Sequence, residues 1–245
     1  LTSLINSKKP TPLDEAKNII YTLRHVYYDA VGNLYAYIKE NIHNDSFENH
    51  NIMKLGFWPG GDRDGNPFVT AKITKDVADE LRVNLMKCYY NDLKRLQQKL
   101  TFKALQEHIK QLRSNLYVAM FDTSKLVGYE DIIGPLESIR ALLVEKYHGL
   151  YLNELDHFID KVKIFKTHFA ILDIRQDHSA HTKVIEAVLI KNKIIKKSLG
   201  ELSKAKLRDV LLTKKLKLSA KDYKDPIVKD TIRNITQLKG IQRKN

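Results

Sequence analysis

The apolar positions first fall into a helical rhythm. Ile19, Leu23, Val26, Tyr27, Ala30, Leu34, Tyr37 and Ile38 recur at intervals of three and four, which predicts an amphipathic helix. Pro10 and Pro12 forbid helix before it, so 1–12 reads as a loose lead-in, and Asp14 and Glu15 suit a first turn. Gly32 is expected to weaken or bend this helix, and His43 to Asn51 is a polar connector. A second stripe, Val77, Leu81, Leu85, Cys88, Tyr89, Leu93, Leu96 and Leu100, predicts a long helix opening near Thr70 or Thr74. Thr74 is the expected cap, with Asp76, Asp79 and Glu80 near the positive end. Further helices are expected over Thr101–Phe121, Tyr129–Tyr147 and Leu152–Lys166. Gly128, Gly134, Pro135 and Gly149 are expected at breaks or helix starts.

The rhythm fails twice. A short apolar run from Ile52 to Trp58 leads into Pro59, Gly60, Gly61, Asp62, Arg63, Asp64, Gly65, Asn66 and Pro67, through which no helix can run. Phe169 to Ile174 is a second run, as expected of a strand buried on both faces, and it ends in Arg175-Gln176-Asp177-His178. A helix resumes near Ser179 or His181. Each unit therefore reads strand, polar loop, helix. The strands should lie near Leu55–Trp58 and Ala170–Ile174 and, if paired, should run parallel, because a long helical crossover joins them. The fold class expected is mainly α with two short parallel strands.

Composition adds limits. With 43% hydrophobic residues the 245-residue chain can bury a core. No apolar run reaches the roughly 18 residues of a membrane span, and Leu1 to Pro10 lack a signal-peptide pattern. The single cysteine, Cys88, excludes an internal disulfide, fits a reducing compartment, and lies on the apolar stripe as a core residue. Lys and Arg number 42 against 29 Asp and Glu, a balance of +13 that favours anionic partners. Much of the excess lies in 190–245, which reads as basic surface helices and loops. A basic helical module binding nucleic acid or an acidic protein is the alternative reading. No helix-turn-helix, RRM or zinc pattern supports nucleic acid.

The polar loop invites chemistry. A calcium loop fails, because Pro67 and Ile73 stand where an EF-hand starting at Asp62 needs glycine and glutamate. The glycines match neither a Walker loop nor a dinucleotide fingerprint. The plain reading is a turn held by its Asp side chains, with Arg63 paired to a neighbouring carboxylate. His178 and His181 sit three apart without a third ligand, as surface histidines do. The tyrosines Tyr21, Tyr27, Tyr28, Tyr35 and Tyr37 read as packing residues. Arg175 follows an apolar strand directly, where its planar fork could hold phosphate or carboxylate, or pair with Asp173 or Asp177.

Three stretches together resemble the phosphoenolpyruvate carboxylase family. They are Lys9 to Ala16, Gly60 to Pro67 with the trailing Val69-Thr70, and Leu172-Asp173-Ile174-Arg175-Gln176, with His181-Thr182 in support. The resemblance implies an α-rich β/α barrel in which the two strands are neighbours. Gly60, Gly61, Asp62, Arg63, Asp64, Gly65 and Asn66 would lie at the barrel mouth, and Arg175 would hold the substrate phosphate. It further implies a cytoplasmic homotetramer that joins phosphoenolpyruvate and bicarbonate, with magnesium or manganese, to give oxaloacetate and phosphate. The family's Thr-Ala-His-Pro-Thr histidine, catalytic lysine, metal carboxylates, mobile glycine-rich loop and inhibitor site are absent from 1–245. The chain is thus expected to be a single internal portion of such an enzyme, inactive alone, without the metal's ligands.

Overall fold

The computed structural model describes residues 9–42, 47–122, 127–216 and 218–242. The lead-in over 1–8 and the connector over 43–46 fall outside these residues. Helix α1 (Pro12–Thr22) starts at a capping box. The Thr11 hydroxyl accepts from Asp14 N at 3.2 Å, and Thr11 N donates to the Asp14 carboxylate at 3.0 Å. A single wide turn, Leu23–Tyr27, joins α1 to α2 (Tyr28–Asn41). The interruption therefore falls before Gly32, not at it. Gly32 instead lets α2 approach α6: a Cβ there would stand 2.7 Å from Lys161 Cδ.

Helix α3 (Ala71–Lys99) is the central element. Every residue of its expected stripe, Val77 through Leu100, is buried. Its cap is Thr70, whose hydroxyl accepts from Ile73 N, whereas Thr74 lies one turn inside. The Thr74 hydroxyl instead donates to Gly60 O at 2.8 Å, binding the helix to the loop before it. Helices α4 (Lys103–Phe121), α5 (Glu130–Tyr147) and α6 (Leu152–Phe165) pack in succession, with α4 and α6 both against α3. Their buried Leu105, Ile109, Leu112, Ile132, Leu136, Ile139, Leu155 and Phe158 share one core with α1 to α3. Gly134 and Pro135 do not mark a helix start. They lie inside α5, which opens at Glu130. Pro135, six residues into the helix, forfeits one bond of its ladder, a cost offset by the burial of Ile132, Ile133 and Leu136.

Strands β1 (Gly56–Phe57) and β2 (Ile171–Leu172) pair in parallel, Gly56 opposite Ile171 and Phe57 opposite Leu172. They are shorter than expected, and β2 is not buried on both faces: Ile171 is 61% exposed. Two strands alone cover neither face completely, and one face packs on the helices while the other stays open. Phe169, just before β2, is buried and meets both Tyr28 and Phe165 edge to face, while those two rings stack on each other.

After β2 come α7 (His178–Lys191), α8 (Lys204–Thr213) and α9 (Pro226–Gln242). Asp177 caps α7 by accepting from Ser179 N at 2.7 Å. Val184 and Val188 of α7 meet Val228 and Ile232 of α9 in a satellite core, and α9 also crosses α3. The lysines of 191–215 face solvent, as expected of a basic surface. Of the tyrosine cluster, Tyr28 and Tyr35 are buried, while Tyr21, Tyr27 and Tyr37 are exposed and are not core residues.

Candidate functional site

The loop after β1 is built almost entirely from backbone hydrogen bonds and short polar side chains. Gly61 N and Asp62 N both donate to Trp58 O, at 2.9 and 3.0 Å, closing a tight turn. Gly60 takes φ +78°, which an L side chain rarely adopts, and a Cβ there would meet Val77 Cγ2 at 2.5 Å. Gly61 lies against β2: its Cβ would stand 2.2 Å from the Asp173 carbonyl oxygen. Asp62 Oδ1 accepts from Asp64 N, and Asn66 Oδ1 from Phe68 N, so both side chains act as turn formers.

This turn is stitched to the end of β2. Asp173 N donates to Phe57 O at 2.7 Å, Arg175 N to Gly61 O at 3.1 Å, and Arg63 N to Arg175 O at 2.9 Å. The parallel ladder thus continues as an Asp62–Arg175 bridge. The structure brings Gly61, Asp62 and Arg63 of the loop against Arg175, which the chain separates from them by more than a hundred residues.

The two arginines differ in kind. Arg175 is exposed, and its Nε and Nη2 both donate to Asp173 Oδ2, at 2.8 and 2.7 Å. That hydrogen bond raises its pKa above the ordinary arginine value. Of the two carboxylates open to it, Asp173 is the partner, while Asp177 caps α7. Arg63 points inward with its side chain 7% exposed, and its Nη2 reaches Asp230 Oδ2 on α9 at 2.5 Å. Its partner is therefore not a neighbour in sequence. Asp230 also accepts from Ala71 N, the first amide of α3, at 3.0 Å, while Gln237 Nε2 donates to Ala71 O at 2.6 Å. Spacing gave no sign of Asp230 or Gln237, since a contact across 167 residues leaves no periodic trace.

Two concavities lie elsewhere. A groove of about 470 Å³ follows the open side of the sheet past Leu55, Phe169, Ile171 and Leu238. A trough of about 870 Å³ lies between α2, α3 and α6. On its floor Lys161 Nζ sits 2.5 Å from Asp92 Oδ2 and 4.3 Å from the centre of the Tyr28 ring, and Tyr28 donates to Asp92 at 2.8 Å. His178 and His181 are exposed. Among the described residues no group of three or more His, Cys, Asp or Glu is arranged to hold a metal ion, and no helix is long and apolar enough to cross a membrane.

A glycine-rich polar turn and an exposed arginine at the carboxyl ends of two parallel strands, each strand followed by a helix, define a β/α unit of the kind that carries active sites at that end. The phosphoenolpyruvate carboxylase family model matches residues 1–126 and 105–244. The chain belongs to that family. It is 28% identical over 215 residues to phosphoenolpyruvate carboxylase of Aeromonas hydrophila subsp. hydrophila, covering 75% of this chain and 24% of the relative. It is 28% identical over 218 residues to that of Shewanella loihica and 27% over 221 residues to that of Vibrio parahaemolyticus, covering 75% of this chain and 25% of the relative each time. The chain spans about a quarter of the length of the curated relatives it matches.

Proposed function

We propose that the chain supplies one portion of a cytoplasmic, homotetrameric phosphoenolpyruvate carboxylase and makes no oxaloacetate alone. The reaction would move the phosphoryl group of phosphoenolpyruvate to bicarbonate, leaving an enolate and carboxyphosphate. The enolate carbon then takes the carboxyl group, and phosphate departs. Both reactants are anionic, so the phosphate needs a fixed cation as the phosphoryl group passes to the bicarbonate oxygen and charge builds on the enolate oxygen. Arg175 would be that cation in this portion, exchanging Asp173 for phosphate oxygens through its planar fork. The loop from Gly60 to Asn66 would wall the same site, chiefly by fixing the backbone of Arg175. Magnesium or manganese would supply Lewis-acid stabilisation of the enolate oxygen. The side chains described here offer no cluster fit to ligate it, so its ligands would come from the rest of the enzyme.

The observation that carries the reading is the exposed Arg175 guanidinium on a backbone pinned to the loop at both its N–H and its C=O. The test is Arg175→Ala and Arg175→Lys in the full-length enzyme, with steady-state kinetics and thermal melting on the same proteins. Losing a charge-assisted contact should lower kcat/KM by about tenfold to a hundredfold. The Lys variant should recover only part, because it keeps charge without the fork. A scaffold role instead predicts an unchanged kcat/KM beside a lowered Tm. A coupled malate dehydrogenase assay on the 245-residue chain should give no turnover above background.

A further inference from the structure

The amino end of α3 is a strong site for negative charge. Its helix runs 29 residues, and its first amides point out of Ala71 and the residues after it. The group found there is the Asp230 carboxylate, delivered from α9 and shared with Arg63 Nη2. Asp230 matches this site incompletely. Arg63 Nε and Nη1 are buried with no hydrogen-bond partner among the described residues. A buried guanidinium with two idle donors is expensive, and natural interiors rarely leave such groups unmatched. A planar carboxylate engages one guanidinium nitrogen and one helix amide here. A tetrahedral oxyanion presents more acceptor positions to the same donors.

We propose that Arg63 and the amino end of α3 form a phosphate-class oxyanion site that Asp230 fills from within the chain, making α9 a built-in competitor for the ligand. The site is distinct from Arg175, whose guanidinium is exposed and paired with Asp173. It does not depend on the carboxylase reaction. Occupation by an external anion requires Asp230 to leave, and with it the Gln237 contact to Ala71 O that also holds α9 against α3. The site is therefore coupled to the docking of 226–242.

If Asp230 is seated in about nine molecules of ten or more, apparent affinity is reduced by about tenfold or more, and removing the competitor restores it. The test is titration of inorganic phosphate, by calorimetry and phosphorus NMR, into the 245-residue chain carrying Arg175→Ala, so that binding at Arg175 does not contribute. Asp230→Asn and Asp230→Ala are compared with the Asp230 parent. Both should bind phosphate about tenfold tighter or more, and adding Arg63→Ala should abolish the gain. The isosteric Asn variant keeps an acceptor for Ala71 N and so preserves the fold, checked by circular dichroism. Without any change at Asp230, phosphate should speed amide exchange in 226–242 and leave the buried amides of 77–96 protected. No gain in the Asp230 variants, a gain that survives loss of Arg63, or exchange in α9 indifferent to saturating phosphate would each overturn the proposal.

Discussion

Replacing Asp92 by Ala is the most damaging single change we expect outside the loop. The carboxylate lies on α3, accepts the Tyr28 hydroxyl from α2 at 2.8 Å, and sits 2.5 Å from Lys161 Nζ on α6. Lys161 is 4% exposed and Asp92 is 8% exposed. Losing Asp92 leaves the ammonium with Asp29 at 3.4 Å, on a side chain 57% exposed, and the face of the Tyr28 ring. An uncompensated buried charge costs about 3–5 kcal/mol. An unsatisfied buried hydroxyl costs about 1–3 kcal/mol more in isolation, though the two losses share one network and do not add fully. The trough beside Lys161 admits water, which keeps the total near about 3–4 kcal/mol. With a urea m-value of about 2–3 kcal/mol/M, the unfolding midpoint should fall by about 1–2 M. The same physics makes the pair replaceable. Asp92→Leu with Lys161→Met removes both charges and should come within about 1–2 kcal/mol of the parent. Urea unfolding at neutral pH, followed by far-UV circular dichroism, measures all the variants. A cost under about 1 kcal/mol for Asp92→Ala, or a double variant as unstable as the two singles summed, would refute the reasoning.

Three further outcomes follow from particular contacts. Gly61→Ala drives a Cβ into the Asp173 carbonyl oxygen, backbone against backbone, and should cost about 1–3 kcal/mol; Gly65→Ala has open space around it and meets only its positive φ, so a urea series ranking Gly65→Ala above Gly61→Ala in cost would contradict the close approach. His157 has its pKa lowered from 6.5, by burial first and the Lys161 charge second, against Asp92, Asp160 and Asp29. A depressed folded pKa contributes stability that is present above 6.5 and lost as pH falls through the lowered value, so His157→Gln should flatten the stability profile just below 6.5, and an unchanged slope would show that another group titrates there. Burial pushes the Cys88 thiol up to about 12, so a thiol-disulfide reagent should be inert toward the folded chain and react once denatured; prompt reaction in the native state would mean that α3 opens readily there.

What the sequence made legible is what short-range physics writes into it. The α3 stripe from Val77 to Leu100 repeats at helical intervals, and each of its residues is buried. Glycine and proline density marked the loop, and the long crossover between two apolar runs meant that the strands, if paired, should run parallel, as found. Contacts decided by tertiary packing were invisible. Thr70 and Thr74 are equivalent as caps by type, and only the approach of Gly60 O to the Thr74 hydroxyl assigns their roles. The exposure of Ile171 was hidden because an apolar run reports what a strand can bury and not which neighbours are present. Arg63 was correctly given a carboxylate but not the right one, since Asp230 stands among the lysines of α9 with no local mark of its partner.

The same ladder that ends the sheet also explains how an arginine can be both fixed and free. Donation from Arg175 N to Gly61 O and acceptance by Arg175 O from Arg63 N hold its backbone on both sides. Those bonds need no side chain, so the guanidinium is left to pair with Asp173. The fixity in turn depends on Gly61 having no Cβ, because the Asp173 carbonyl occupies that space. It depends as well on Thr74, which ties Gly60 to α3, and on Asp230, which ties Arg63 and Ala71 to α9. A carboxylate partner on an exposed arginine is held only weakly. The geometry therefore separates backbone from side chain: the loop's contacts set where Arg175 stands, and its guanidinium pairs with Asp173 at the surface.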